Sequence, residues 1–386
     1  MMYAIRRNVL DILVYSPELA RAEYSASHPF KPMRAKLLVE LLNRFYLIFE
    51  SSQKIVDPVP ADEELLYLFH DRNYIEVLKK ADAGEFTMDM LWAELGTGDN
   101  PVFKGMLDFV LAVTGATCQG ANMLLEGATR MAFNPVGGLH HGGRDHAEGF
   151  CYVNDIAIAV TDLVNKGKRV AYLDIDAHHG NGVQDAFYDT DKVLTISLHE
   201  SGETLYPGTG FEKEIGNEEG RGYTVNVPFR SGTDDEVYLY AWNAIVPPLV
   251  ERFKPDITVA QIGGDSHKDD PLANLNLTSN GYKRLFQDIK RLSPRLLALG
   301  GGGYNVFKTA ALWTIAWATF CGLEPVDQYA GLVGGMMFGP ESEAGNLDDE
   351  PFVLEGPEKE ACFEQARRVV AYLQKTVFPI HGLTAT

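Results

Sequence analysis

Two aspartates and two histidines crowd into the stretch D-I-D-A-H-H-G, Asp174 to Gly180. An aspartate and a histidine two residues apart offer an oxygen and an imidazole nitrogen, donors that suit zinc and similar divalent ions. The residues just ahead, R-V-A-Y-L, are mostly apolar and strand-forming, so the donors come where a strand ends. Side chains alternate along a strand, which puts Asp174 and Asp176 on one face with His178 following as the chain leaves it. A solvated loop could also carry these polar residues, but the glycines that follow at once favour metal ligation. A later strand, D-I-T-V-A-Q-I, runs into G-G-D and supplies Asp265 as a further donor. Three protein ligands with one position left open is the catalytic zinc arrangement.

A second concentration is G-G-L-H-H-G-G-R-D-H-A-E-G-F-C-Y-V-N-D, Gly137 to Asp155. The adjacent His140 and His141, flanked by glycine pairs, suit acid–base work because imidazole titrates near neutral pH. His146 reads as a polar residue only, and Cys151, between two aromatics, as a small buried hydrophobe. A third feature is the glycine run Gly300 to Gly303, followed by Tyr304. Such a run lets backbone approach a ligand closely. Its spacing matches neither a phosphate-cradling nor a dinucleotide-binding turn.

These groups need a frame that brings strand ends together. Short apolar runs at V-A-Y-L-D-I-D, V-L-T-I-S-L-H, Y-T-V-N-V-P, I-T-V-A-Q-I and L-L-A-L-G alternate with helical patterns, notably Asp235 to Phe253, Gly281 to Arg291 and Val306 to Phe320. Apolar strands alternating with helices predict an α/β fold, a mostly parallel sheet covered on both faces. In such sheets ligands bind beyond the carboxyl ends of the strands. Earlier helical patterns lie at A-K-L-L-V-E-L-L-N-R-F, E-E-L-L-Y-L-F-H, Asn73 to Ala81 and Lys104 to Glu126, with turn residues over Glu94 to Pro101. A last helix is expected over Glu358 to Lys375. Residues 1–386 read as one domain, with the irregular, acidic tail after Glu324 packed on it.

The composition, 46% hydrophobic and 23% charged, is that of a globular protein. A net charge of -19 argues against a surface that tracks nucleic-acid phosphates. Four scattered cysteines, with no C-x-x-C pair, exclude a disulfide scaffold and a thiolate zinc site. The first residues lack a signal-peptide pattern, and no apolar run reaches the roughly 20 residues of a membrane span. A cytoplasmic protein is expected; its oligomeric state is not legible.

The motifs G-L-H-H, G-F-C-Y-V-N-D, D-I-D-A-H-H-G-N-G-V-Q-D-A-F-Y, Y-P-G-T-G, G-G-D and L-G-G-G-G-Y-N, in this order, resemble those of the zinc-dependent histone deacetylase family, which includes bacterial deacetylase-like and acetoin-utilisation proteins. H-P-F-K-P-M-R and F-H-D-R-N-Y-I match as well, so the resemblance covers about residues 20 to 320. It implies the arginase/deacetylase type of α/β fold. It also implies that Asp176, His178 and Asp265 hold zinc (iron being the alternative), that His140 and His141 form the tandem pair with Asp174 and Asn181 as their partners, and that Tyr304 polarises the acetyl carbonyl. Gly149, Phe150, Tyr206, Gly302 and Gly303 would line the acyl-lysine tunnel, with Leu272 at its rim, Asp99 gripping the substrate backbone and Arg34 beside an internal acetate channel. Potassium would bind at Asp174, Asp176, His178, Ser197 and Leu198, and again at Phe187, Thr190, Val193 and Tyr223.

Three departures matter. Asn181 stands where many relatives of the nuclear enzymes have a second aspartate, Tyr206 adds a hydroxyl where a phenylalanine is common, and Leu272 replaces the acidic gatekeeper of polyamine-specific members. The expected activity is therefore zinc-dependent hydrolysis of acetyl-lysine in proteins or peptides to lysine and acetate. The alternatives are an amidohydrolase of small acetylated amines and a catalytically silent acyl-lysine binder. An arginase-like two-metal enzyme would need more carboxylate ligands than this chain offers.

Overall fold

All five strand runs named above form strands, and three more join them. The computed structural model describes residues 9–325 and 347–385, apart from residues 23 and 26. Its strands are β1 (Asp11–Val14), β2 (Gln53–Val56), β3 (Met131–Asn134), β4 (Val170–Asp174), β5 (Val193–Glu200), β6 (Thr224–Phe229), β7 (Ile257–Gln261) and β8 (Leu296–Leu299). They form one eight-stranded sheet in the order β2-β1-β3-β8-β7-β4-β5-β6. Every pairing is parallel. Strands β3 to β8 are buried along their whole length, as a parallel sheet covered on both faces requires.

The helices of the described residues are α1 (Met33–Arg44), α2 (Glu63–Leu66), α3 (Arg72–Asp82), α4 (Asp89–Trp92), α5 (Met106–Leu125), α6 (Asp155–Asn165), α7 (Asn181–Phe187), α8 (Asp235–Phe253), α9 (Ser279–Leu292), α10 (Val306–Cys321) and α11 (Gly356–Thr376). The pattern E-E-L-L-Y-L-F-H, expected as a helix, yields only the four residues of α2, since the chain must turn to bring His70 under the tandem-histidine loop, where its Nε2 accepts the Asn154 N–H at 3.0 Å. Helix α11 packs on α8 and β6, so this part of the tail is built onto the sheet. The expectation for residues 326–346 lies outside the described residues. No described helix is long and apolar enough to cross a membrane.

Strand order places the site. β4 is central, with β5 on one side and β7, then β8, on the other, so the carboxyl ends that carry Asp174, Ser197, Gln261 and Leu299 lie side by side. Each strand then hands the chain to a short loop bearing polar groups. The loop after β3 is fixed differently, by a carboxylate. Asp155, at the start of α6 and fully buried, accepts the Leu139 N–H at 2.8 Å, the Gly138 N–H and the Thr117 hydroxyl. Asp155→Ala would leave these donors without partners in the core, so we expect it to lower unfolding free energy by about 3 kcal/mol, read as an earlier urea midpoint. Asp155→Asn, which keeps one acceptor, should lose less.

Candidate active site

At the ends of β4 and β7, one donor atom each from Asp176, His178 and Asp265 lies within 4.8 Å of the other two, and all three residues are buried. His178 Nδ1 sits 3.1 Å from both Asp176 Oδ1 and Asp265 Oδ2. Burial opposes a charge on this imidazole, but the two carboxylates outweigh it and push its pKa up to about 10. An imidazole between two buried carboxylates marks a place suited to a cation. Each carboxylate is also oriented from behind. Asp176 Oδ2 accepts from Gln261 Nε2 at 2.6 Å and from the Gly302 N–H at 2.8 Å, while Asp265 Oδ1 accepts the Ala177 N–H at 2.9 Å. A Cβ on Gly302 would fall 2.1 Å from Asp265 Oδ2 and 2.7 Å from Asp176 Oδ2, so this glycine keeps the space between the two carboxylates open. Two oxygens and one nitrogen around an open position fit a catalytic divalent ion of the zinc type.

The histidine pair is asymmetric. His140 Nδ1 lies 2.8 Å from Asp174 Oδ2, which also accepts the Tyr172 hydroxyl at 2.6 Å. Burial works against charge on His140, but Asp174 and Asp176 more than offset it and raise its pKa. His141 Nδ1 lies 2.7 Å from Asn181 Oδ1, a neutral acceptor. Burial, then the charges on His140 and His178, hold its pKa well below the usual histidine range. The two Nε2 atoms are 3.1 Å apart. One arrangement satisfies every contact: His140 is an imidazolium donating from Nδ1 to Asp174 and from Nε2 to His141, and His141 is neutral with its proton on Nδ1. Its Nε2 is then the unprotonated nitrogen, accepting from His140 and able to act as a general base where that hydrogen bond gives way to one from water.

Tyr304 follows the glycine run, and its ring stands 6.2 Å from that of His178 and 5.7 Å from that of Phe150. Burial and the nearby Asp265 and Asp176 push its pKa well up, so the side chain stays a hydroxyl that can donate. Asp270 Oδ2 accepts the Tyr304 N–H at 2.6 Å. The run itself is gripped by buried Arg34, whose guanidinium donates to the carbonyls of Gly303 and Gly301. Phe30 and Trp313 cover that guanidinium at 4.9 and 5.0 Å. Its Nε has no partner among the described residues, an N–H left over in the interior beneath the site. Gly138, at φ +97°, comes so near the run that a Cβ would meet Gly301 N at 2.6 Å.

Of the residues expected to line a tunnel or its mouth, Asp99, Gly149 and Tyr206 share one outer cavity. The Phe150 ring packs on His28 at 4.7 Å and holds a positive φ of 71°, a costly conformation for a bulky residue. The Tyr206 ring lies 5.3 Å from His141, and the residue is 43% exposed. A Cβ on Gly149 would strike the His141 ring. Asp99 opens onto an outer cavity of about 640 Å³ with Trp92, Glu148, Gly149 and Tyr206, and its carbonyl accepts from His28 Nε2 at 3.0 Å. Leu272 is 38% exposed, and its N–H donates to Asp270 Oδ1.

The residues expected to bind potassium fall on both sides of β5. The Asp174 and Ser197 positions pair across the sheet, and the Leu198 carbonyl accepts the Tyr238 hydroxyl at 3.1 Å. Farther out, the Phe187 carbonyl accepts the Thr190 N–H at 3.4 Å, and the Tyr223 carbonyl accepts the Thr195 N–H at 2.8 Å. Val193 begins β5 opposite Val170.

Sequence reasoning passed over Gln261, Tyr172, Asp270 and Glu148. The first was legible in principle, as a polar residue closing an apolar strand. Glu148 lies inside the histidine-rich stretch but pairs by folding: its carboxylate takes hydrogen bonds from Asn181 Nδ2 at 2.9 Å and the Tyr206 hydroxyl at 3.0 Å. His146, read as merely polar, lies 2.8 Å from Asp145 and 3.4 Å from Glu148. Hydrogen bonds to Glu148 and then Asp145, opposed by partial burial, raise its pKa to about 9, so it is charged at neutral pH.

Comparison with known proteins shows the family. Residues 28–320 match the family model of the histone deacetylase domain. The chain is 37% identical over 327 residues to the acetoin utilization protein AcuC of Bacillus subtilis, covering 82% of this chain and 83% of that protein. It is 38% identical over 303 residues to human histone deacetylase 1, covering 78% of this chain but only 62% of the human protein. The crystal structure of an HDAC homologue complexed with SAHA superposes with a TM-score of 0.81 at 31% identity, covering 93% of this chain and 99% of that one. A crystal structure of an HDAC homologue from Aquifex aeolicus gives 0.79 at the same identity and coverage. With the parallel sheet, the three buried donors and the tandem histidines at its carboxyl edge, the chain belongs to the histone deacetylase family.

Proposed function

We propose that this deacetylase hydrolyses the acetyl amide of acetyl-lysine in proteins or peptides, releasing lysine and acetate, with zinc held by Asp176, His178 and Asp265. The observation that carries this reading is a candidate base and a hydroxyl donor both close to the metal donors: the ring of His141 is 6.0 Å from that of His178, and the ring of Tyr304 is 6.2 Å from it. When bound, the ion would act as a Lewis acid on the carbonyl and lower the pKa of water. His141 Nε2 takes a proton from the attacking water. Tyr304 donates to the carbonyl oxygen as negative charge collects on it. Protonated His141 then stands beside the His140 imidazolium, and their repulsion favours passing the proton to the amine nitrogen as the C–N bond breaks. Asp174 orients the His140 ring through Nδ1 and, with Asp176, raises its pKa against burial.

The substrate side chain enters between Phe150 and Tyr206, two aromatic faces suited to the four-carbon stem of an acylated lysine. Asp99 holds the backbone at the mouth, and Leu272 forms an apolar rim that gives a second amine nothing to pair with. Potassium is proposed for the carbonyl groups beside β5, oxygen donors of the kind hard cations take. Four free cysteines are compatible with the reducing cytoplasmic setting we propose.

Kinetics on zinc-loaded protein test the reading. Acetyl-lysine peptides should be turned over in preference to N-acetylputrescine, and the reverse preference would replace this reading with the small-amine one. Leu272→Glu should move the preference toward acetylpolyamines, since a rim carboxylate would pair with their second amine. For Tyr304→Phe we expect kcat to fall by about 10²- to 10³-fold with little change in KM, as for loss of one oxyanion donor; turnover near normal would leave the carbonyl to the metal alone. Gly302→Ala should abolish zinc retention in metal analysis while leaving the urea midpoint near that of the parent, because the added methyl would intrude between the metal donors.

A further inference from the structure

The Asn181 amide has two ends of nearly the same shape, an acceptor oxygen and a donor nitrogen. Only one orientation serves the chemistry. If the oxygen faces His141, the imidazole proton is held on Nδ1 and Nε2 is the basic nitrogen; if the nitrogen faces it, the proton moves to Nε2 and the base is lost. An aspartate in this place would present an acceptor either way. An asparagine must be told which way to turn.

Glu148 supplies that instruction. Its Oε2 lies 2.9 Å from Asn181 Nδ2, and an ionised carboxylate only accepts hydrogen bonds, so the amide nitrogen must face it. Asn181 Oδ1 is thereby left for His141 Nδ1, 2.7 Å away. The other neighbours of Glu148 keep it in this state: the Tyr206 hydroxyl donates to Oε1 at 3.0 Å, and His146 Nε2 stands 3.4 Å from Oε2. We propose that Glu148 is a positioning residue for hydrolysis, a carboxylate that orients the Asn181 amide and through it fixes the tautomer of His141. Histidine, amide and carboxylate form one line. The negative charge that would sit directly on His141 stands one residue farther out, and the same carboxylate ties a tunnel wall to the base.

Its kinetic arm rests on the deacetylase reading, so a second readout is needed that does not. The test compares four zinc-loaded proteins: the parent, Glu148→Gln, Asn181→Asp, and the two combined. Glu148→Gln can offer either end of its own amide, so Asn181 loses its preferred orientation; kcat should fall about 10- to 100-fold with KM little changed. Asn181→Asp brings two carboxylates together and should also lower kcat. In the combined protein the glutamine amide can donate to the new aspartate, so kcat should exceed that of either single variant. Losses that simply add, or normal turnover by Glu148→Gln, would overturn the proposal. Nitrogen-15 spectra of the histidine rings give the second readout. His141 should be a single Nδ1–H tautomer in the parent and a mixture in Glu148→Gln, and an unchanged tautomer there would overturn the proposal as well. Failure of the parent to act on any acetyl-lysine peptide would defeat the deacetylase reading alone, with the spectra still deciding the role of Glu148.

Discussion

Buried negative charge is the constraint that shapes this molecule. Asp174, Asp176 and Asp265 stand almost fully buried at the ends of two adjacent strands. A carboxylate removed from water costs several kcal/mol unless hydrogen bonds and opposite charge replace its hydration. Much of the surrounding sequence does this replacement. Gln261 and the Gly302 N–H serve Asp176, Tyr172 and His140 serve Asp174, and the Ala177 N–H serves Asp265. The glycines follow from the same demand. A backbone N–H reaches a carboxylate already ringed by partners only where no side chain intervenes, as at Gly302.

The same charge divides the labour of the two histidines. Chemically identical side chains, adjacent in sequence, have pKa values moved in opposite directions because one faces a carboxylate and the other an amide. Against its burial, Asp174 and Asp176 raise the pKa of His140, whereas burial and then the charges on His140 and His178 lower that of His141. A base that is easily deprotonated gives its proton away readily later in the cycle. Asn181 is therefore a means of separating the two pKa values, not a weakened version of an aspartate.

What could be read from sequence was whatever is local. Fully buried strands show as apolar runs, and β4 to β8 are visible for that reason. β3 has only four residues, M-A-F-N, and β2 is the edge strand Q-K-I-V with an exposed lysine, so neither shows a clear period. The long helices α8, α9 and α10 were legible to within two residues, while α6 was passed over because its D-I-A-I-A-V run has the apolar density of a strand. Donor types at strand ends were legible too. The partners that orient them were not: Glu148 meets Asn181 across 33 residues of chain, and Asp270 meets the Tyr304 N–H across 34. No periodicity encodes such a contact.

The tail shows how far such non-local support extends. Beyond Glu324 the sequence carries no motif, yet Asp349 is tied to the loop that follows Asp265. Its carboxylate takes His267 Nε2 at 2.7 Å, the Ser279 N–H at 3.0 Å and Lys308 Nζ at 2.6 Å. His267 Nδ1 accepts the Asp269 N–H at 3.1 Å, which leaves the ring proton on Nε2 for Asp349. The loop so braced runs on to Asp270, whose carboxylate holds the backbone N–H groups of Tyr304 and Leu272. One short path thus joins an acidic residue of the tail, a buried histidine and the residues proposed as oxyanion donor and apolar rim. An oxyanion donor works only if its position is fixed before the charge appears. The position of Tyr304 therefore depends on residues that have no chemistry of their own, and the tail is among them.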